Sequence, residues 1–249
     1  MIDEKVFLGF PLNFKDVCKI YPPKVKDVCG DSDFAYCQTM LEITQEELED
    51  AYANENVPRI PTPFQYLLMN YHQDKEMGEK ILYGFNKLIK EPVVIVPELE
   101  VIIVGKSEDE LDPDIDLDNP RTIDESNFFD FQNMVRASLG IAQVKKPVEN
   151  EDPRIKRYKA KIRASERMLA KKKNNGTNFG TLLAAICCMG IGLSPLNIGE
   201  MSYACVHWLI AMEQQKEEYD IDIRALLAGA DSKKVKPKYW IKNIDEKEL

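Results

Sequence analysis

Histidines, paired cysteines and complete metal-binding motifs are scarce in this sequence. Its two histidines are His72 and His207, and none of its six cysteines forms a C-x-x-C pair. Cys187 and Cys188 are adjacent, and neighbouring residues on a helix lie about 100° apart around its axis, so they do not easily bind one ion. Together with Cys205 and His207 they are predicted to pack in the core, where cysteine behaves as a small apolar residue. No metal site and no cofactor is therefore expected.

Motifs for nucleotide binding and hydrolysis are also absent. The sequence has no G-x-x-x-x-G-K-[ST], G-x-G-x-x-G, G-x-S-x-G or H-E-x-x-H segment. His207 has no carboxylate or nucleophile at helical spacing that would make it a catalytic base. These absences shift the prediction from an enzyme to a binding or assembly protein.

No apolar run is long enough to span a membrane. Uninterrupted apolar sequence extends only from Leu182 to Leu193, whereas a membrane-spanning helix needs about 20 apolar residues. Residues 182–212 are instead predicted to form two helices, the second starting at Ser194 and Pro195. No basic start followed by an apolar run marks a secretory signal at the N-terminus. We therefore expect a cytoplasmic protein with reduced thiols.

Charge is abundant but unevenly spread. A formal net charge of −9 makes the chain a poor general ligand for nucleic acid, because phosphate repels it. Acidic residues dominate between 107 and 130. Within them, Asp114 to Glu125 partly follow the spacing of a calcium loop. However, Asn119 stands where that loop has its glycine, and Pro120 occupies its carbonyl-donating position. A solvated acidic linker is the favoured interpretation.

Basic residues dominate from Arg154 to Lys173, where Asp152 and Pro153 mark the start of a helix. One hypothesis is nucleic-acid binding. The residues expected to carry it are Arg154, Lys156, Arg157 and Lys159. The alternative is a bridging helix that meets the acidic segment of the same or a neighbouring chain. The tail KKVKPKYWIK adds lysines interleaved with Tyr239 and Trp240, and a protein is its favoured partner.

The first half of the chain predicts short strands and amphipathic helices. KVFLGF and VCKIY have the composition of strands, and PVVIVPELEVIIVG predicts a β-hairpin at 93–104. Thr44 with Glu47, and Thr62 with Gln65, have the spacing of capping boxes at helix starts. DKEMGEKILYGFNKLIK and DESNFFDFQNMVRASLG predict two further helices.

Together these signals predict an α+β fold that is mostly α-helical. It has a mixed N-terminal part with the hairpin and a helical C-terminal part. The expected units are 1–106 for the α+β part, 107–151 for the acidic linker and a helix, 152–174 for the basic helix, and 175–249 for the C-terminal helical part with its Lys-rich tail.

The second helix of 182–212 is apolar over more than one face. Tryptophan, methionine and tyrosine are enriched in protein interfaces. Either the N-terminal part covers this surface or another protein does. The residues predicted to bind a partner are Met201, Tyr203, Trp208, Leu209 and Met212.

CCMGIGLSPLNIGEMSYACVHWLI resembles the C-terminal helical segment of tail assembly chaperones of long-tailed phages. The matching features are an apolar helix, a glycine, a Ser-Pro turn, a Met-Ser step and a helix with aromatic residues. They are carried here by Gly192, Ser194, Pro195, Met201, Ser202, Tyr203 and Trp208.

That resemblance implies a non-enzymatic protein of the host cytoplasm that binds the tape-measure protein and other tail proteins. The hairpin and the basic helix depart from the usual pattern. They leave open a structural tail or baseplate component, and self-association stays open as well.

Overall fold

The computed structural model describes residues 4–52, 59–107, 121–146, 154–155, 158–163, 165, 179–190 and 192–241. It confirms an α+β fold that is mostly helical. The helices are α1 (Glu4–Phe7), α2 (Val25–Val28), α3 (Ser32–Glu42), α4 (Gln45–Ala51), α5 (Pro63–Gln73), α6 (Lys75–Ile89), α7 (Glu125–Ser138), α8 (Phe179–Cys188) and α9 (Tyr203–Leu227). The strands are β1 (Leu12–Phe14), β2 (Cys18–Ile20), β3 (Val93–Val96), β4 (Val101–Val104) and β5 (Thr122–Asp124).

Both sheets are antiparallel. The hairpin predicted at 93–104 is confirmed, with Val93 opposite Val104, and its turn is a short 3-10 helix, Pro97–Leu99. The third strand, β5, pairs with β4 and was not predicted. Three residues are too few to show the alternating pattern that identifies a strand.

The N-terminal strand prediction is half right. VCKIY contains β2, but KVFLGF does not form a strand, because its first residues form α1. β2 takes β1 as its partner instead. Local hydrogen bonds from the Leu8 and Phe10 amides to the Glu4 and Lys5 carbonyls close the α1 turn.

The helix starts follow the predicted caps. The Thr44 hydroxyl accepts a hydrogen bond from the Glu47 amide at 3.2 Å, and the Glu47 carboxylate accepts one from the Thr44 amide at 2.9 Å. Thr62 and Gln65 form the same reciprocal pair at the start of α5. Both capping boxes are confirmed, because their geometry depends only on residues three positions apart.

The main core lies between α3, α5, α6, α7 and the two sheets. Phe131 of α7 is fully buried in it, with its ring 5.8 Å from that of Phe85 and 5.4 Å from that of Phe14. α3 and α6 approach so closely that a Cβ on Gly84 would lie 2.2 Å from Cys37 Sγ. From the C-terminal part, Ala204 and Trp208 of α9 pack into this core.

The C-terminal part begins α9 later than predicted. Ser194 and Pro195 form only a turn, in which the Asn197 side chain accepts a hydrogen bond from the Ser194 amide at 2.7 Å. The cap of α9 is Ser202, whose hydroxyl accepts from the Cys205 amide at 3.1 Å. The predicted helix start was therefore wrong, because tertiary contacts of Met201 and Ser202 set the boundary.

No helix in the described ranges is long and apolar enough to cross a membrane. Most of the calcium-like loop lies outside the described residues. The division into four units stays a prediction.

Candidate partner-binding groove

A groove with a volume of about 850 Å³ lies between the N-terminal part and the start of α9. Its walls come from the end of α1, the Pro22–Pro23 segment, α2, the end of α6 and the first turns of α9. The lining residues are Phe7, Leu8, Gly9, Tyr21, Pro22, Pro23, Lys24, Asp27, Asn86, Lys87, Lys90, Glu200, Met201, Ser202, Cys205 and Leu209.

Backbone hydrogen bonds join the two walls. Lys24 and Ser202 form an isolated antiparallel bridge. The Val25 amide donates to the Met201 carbonyl at 3.0 Å, and the Tyr203 amide donates to the Pro23 carbonyl at 2.8 Å. These bonds hold the beginning of α9 in a fixed register against the N-terminal part.

The apolar edge of the groove is only partly covered. The Phe7 ring stacks on Trp208 at 6.1 Å and is 37% exposed, while its neighbour Leu8 is 66% exposed. Met201 and Leu209 add half-buried side chains from the opposite wall. Exposed apolar residues grouped at the edge of a concavity are a feature of protein-binding sites.

An ion cluster lies at the second end of the groove. Glu200 accepts hydrogen bonds from Lys24 at 2.8 Å and from Lys26 at 2.5 Å. These bonds lower the pKa of the Glu200 carboxyl to about 2, so it stays ionised at neutral pH. The hydrogen bond with Glu200 also raises the pKa of Lys26.

Two further lysines come from the end of α6. Lys87 donates to Asp31 at 2.6 Å and to the Asp27 carbonyl, and its ammonium lies 4.7 Å from the Tyr83 ring centre. Lys90 contacts the Tyr21 ring at 4.7 Å, and no carboxylate in the described ranges pairs with it. Lys90 therefore offers an uncompensated positive charge at the groove wall.

The five residues predicted to bind a partner have different environments. Met201 and Leu209 line the groove, whereas Trp208 is 4% exposed and packs in the main core with Ala204. Tyr203 is half-buried and its ring lies 4.6 Å from that of His207. Met212 is half-buried one turn beyond the groove. Their role in partner binding stays a prediction.

Three cysteines, Cys18, Cys37 and Cys205, are buried, and so is most of His207. Burial raises the pKa of Cys205 to about 11 and lowers the pKa of His207, which stacks on Phe179 at 5.3 Å. Burial also raises the pKa values of Cys18 and Cys37 to about 12. Within the described part of the chain, no group of three Cys, His, Asp or Glu residues is arranged to hold a metal ion.

The basic segment is helical at residues 158–163. Arg163 donates to Glu46 at 2.8 Å and to Asp50 at 3.2 Å, which places this segment against acidic α4. Of the residues in the nucleic-acid hypothesis, Arg154 and Lys159 are described and both have interactions of their own. Lys156 and Arg157 lie outside the described residues.

The N-terminal half of the groove was not predicted from the sequence. Leu8, Lys87 and Lys90 belong to elements that carry no motif, and they meet α9 only through folding. The one sequence feature that could have indicated the groove was the apolar stretch around Leu8. That stretch was interpreted as a strand instead.

The C-terminal part of the chain is similar to a known protein family. Residues 170–245, which include α8, α9 and the Lys-rich tail, match the family model described as the YomV second domain. No curated protein and no solved structure matches the chain. The matched family is phage-associated and takes its name from YomV of a Bacillus prophage, so this similarity supports a phage protein, although it names no assembly step.

Proposed function

We propose that this protein is a non-enzymatic phage protein that binds other phage proteins during tail assembly in the host cytoplasm. The observation that carries the proposal is the groove, to which the part similar to the YomV second domain contributes one wall. Its apolar edge, with Leu8, Met201 and Leu209, suits the burial of side chains from another protein.

Charge defines the kind of segment that the groove would accept. Lys90 is uncompensated in the described ranges, and Lys24 and Lys87 lie on the same lining. The matching client segment has apolar side chains next to a carboxylate. Its apolar side chains would be buried against Leu8, and its carboxylate would lie near Lys90. We propose the tape-measure protein as the client that supplies it.

A non-enzymatic role is supported by the state of the cysteine in the groove. Cys205 of the groove lining is buried and its pKa is raised to about 11, so its thiol stays protonated at neutral pH. The groove lining contains no histidine. A groove with lysines and an apolar edge supports binding rather than covalent catalysis.

Nucleic-acid binding by the basic segment has less support. Arg163 forms ion pairs with Glu46 and Asp50, which compensate its charge. The net charge of −9 also repels the phosphates of a nucleic acid. A structural tail or baseplate role uses the same groove and differs in its outcome, because such a protein would remain in the finished particle.

The test is co-expression with the tape-measure protein of the same phage, followed by affinity purification. Leu8→Asp places a charge at the groove edge. Leu196→Asp makes the same change at a leucine that is 93% exposed and outside the groove lining. We expect capture by the wild type and Leu196→Asp, and loss of capture by Leu8→Asp.

The proposal fails if the wild type captures no client, or if Leu8→Asp captures it as well as Leu196→Asp does. Detection of the protein in purified virions by mass spectrometry would replace the chaperone role with the structural one.

A further inference from the structure

The C-terminal half of α9 extends beyond the core. Its buried residues are Ala204, Cys205, Val206 and Trp208, and none of the following residues up to Leu227 is buried. Residues 213–227 span about 22 Å at 1.5 Å per residue. A helix of that length without packing is marginally stable in water. Its sequence is therefore expected to provide a face for another element.

One side of α9 carries such a face, because its residues recur with heptad spacing. The spacing between successive members alternates between three and four residues, which is the spacing of a coiled-coil seam. We call these residues the α9 stripe: Leu209, Met212, Lys216, Tyr219, Ile223 and Leu226. All six are half-buried, whereas the residues on the other side are exposed: Gln214, Glu217, Glu218, Ile221 and Arg224.

The flanks of the α9 stripe are acidic. Glu213 and Asp220 lie on one side of it and Asp222 on the other. Glu213 accepts a hydrogen bond from Lys216 at 3.1 Å, which compensates the one charge within the stripe. Asp220 and Asp222 form no ion pair with any described residue, so both carboxylates are available to an incoming helix.

These flanks select against a second copy of α9. Two α9 stripes packed together would place carboxylates next to carboxylates, and like charges at flanking positions oppose pairing. A helix with lysines or arginines beside its apolar positions would form ion pairs with Asp220 and Asp222. Charge complementarity thus identifies a basic amphipathic helix as the partner.

The Lys-rich tail of the chain has the same chemistry. Lys234, Lys236 and Lys238 alternate with apolar residues, and the Tyr239 ring lies perpendicular to that of Tyr219 at 5.9 Å. Tyr239 itself remains 61% exposed beside Tyr219. The tail contact shows that a basic and aromatic segment fits beside Tyr219.

We infer that the α9 stripe is a docking surface for an amphipathic helix of another protein whose apolar positions are flanked by lysines or arginines. This inference rests on the proposed function as a protein-binding protein and adds the chemistry of a second contact. Leu209 belongs to both the groove lining and the α9 stripe, so one elongated partner can occupy both.

The test uses two synthetic helices of about three heptads, with leucine at the seam positions and either lysine or glutamate at the flanks. Each is labelled and titrated with the full-length protein, with fluorescence anisotropy as the measurement. We expect the lysine peptide to bind at least about tenfold more tightly than the glutamate peptide in physiological salt.

Two isoleucines provide a matched pair of variants. Ile223→Lys places a charge within the α9 stripe, and Ile221→Lys makes the identical change on the exposed opposite side, where Ile221 is 56% exposed. Both change the net charge equally, so non-specific attraction of the lysine peptide falls equally in both. We expect Ile223→Lys to lose binding and Ile221→Lys to retain it.

Equal binding of both peptides, no binding of the lysine peptide, or equal binding by the two variants would each overturn the inference. Those results leave the groove untouched, because Leu8→Asp tests the groove separately. Loss of tape-measure capture by Leu8→Asp together with a negative peptide titration would keep the proposed function and remove the α9 stripe.

Discussion

Gly140 at the end of α7 lies directly against Ala204 in the first turn of α9. A Cβ built on Gly140 would lie 2.8 Å from Ala204 Cα, and the backbone of Gly140 has φ +73°. Ala204 is fully buried at this point. The contact is therefore one of the places where the N-terminal part fixes the position of the helix that forms the groove.

Substitution of Gly140 is expected to loosen that attachment. Gly140→Ala adds a left-handed backbone cost of about 1–2 kcal/mol and an overpacking cost of about 1–3 kcal/mol. Gly190→Ala is the control, since Gly190 has the same φ of +73° but open space around its Cα. Urea unfolding should show a larger loss of stability for Gly140→Ala. Equal losses of unfolding free energy in the two variants would mean that the structure around Ala204 accommodates the added methyl group without destabilisation.

Asp31 gives an acid-dependent prediction. Partial burial would raise the pKa of its carboxyl, but hydrogen bonds from Lys87, the Phe34 amide and Tyr83 outweigh that effect and lower the pKa to about 2. Its ionised form therefore stabilises the fold fully above pH 3.8, and this contribution is lost as the pH falls through about 2.

Asp31→Asn isolates the charge, because asparagine also caps a helix well and Asp31 is the N-cap of α3. The variant should be less stable than the wild type at pH 7, and the difference should shrink as the pH falls toward 2. Thermal unfolding followed by circular dichroism over this range measures it. A difference independent of pH would indicate a role in capping alone.

His207 gives a prediction nearer to neutral pH. Burial lowers the pKa of its imidazole from 6.5, so the folded state favours the neutral ring beside Phe179 and Tyr203. Since the unfolded chain takes up the proton first, stability should fall as the pH drops below 6.5. His207→Phe should remove this component of the pH dependence of the unfolding temperature. An unchanged pH profile in that variant would assign the dependence to other groups.

Thiol reactivity should separate the cysteines by burial. Cys188 is exposed and should react with a disulfide reagent in the native state. Cys37 is fully buried, its pKa is raised to about 12, and its thiol donates to the Ile81 carbonyl at 3.4 Å, so it should react only on unfolding. Mass spectrometry of the native labelled protein identifies the modified positions. Rapid native labelling of Cys37 would show that α3 and α6 separate readily.

Local signals predicted the elements whose geometry depends on neighbours in sequence. The caps at Thr44 and Thr62 formed as expected, because each satisfies backbone amides within one helical turn. The hairpin at 93–104 was equally accessible, since its two β-branched runs pair across a short turn. The strand predicted in KVFLGF was wrong because local hydrogen bonds close the α1 turn instead. The helix start predicted at Ser194 was wrong because the contacts of Met201 and Ser202 with the N-terminal part place the start of α9 later.

The sequence by itself determined the fold class, the helix caps and the hairpin, because periodicity and capping act over a few residues. Only the tertiary structure decided that Trp208 enters the core, that Ser202 starts α9 and that Leu8 and Lys90 share a groove with Met201. These outcomes depend on hydrogen bonds and packing between distant segments, such as the Lys24 and Ser202 bridge, which no local pattern encodes.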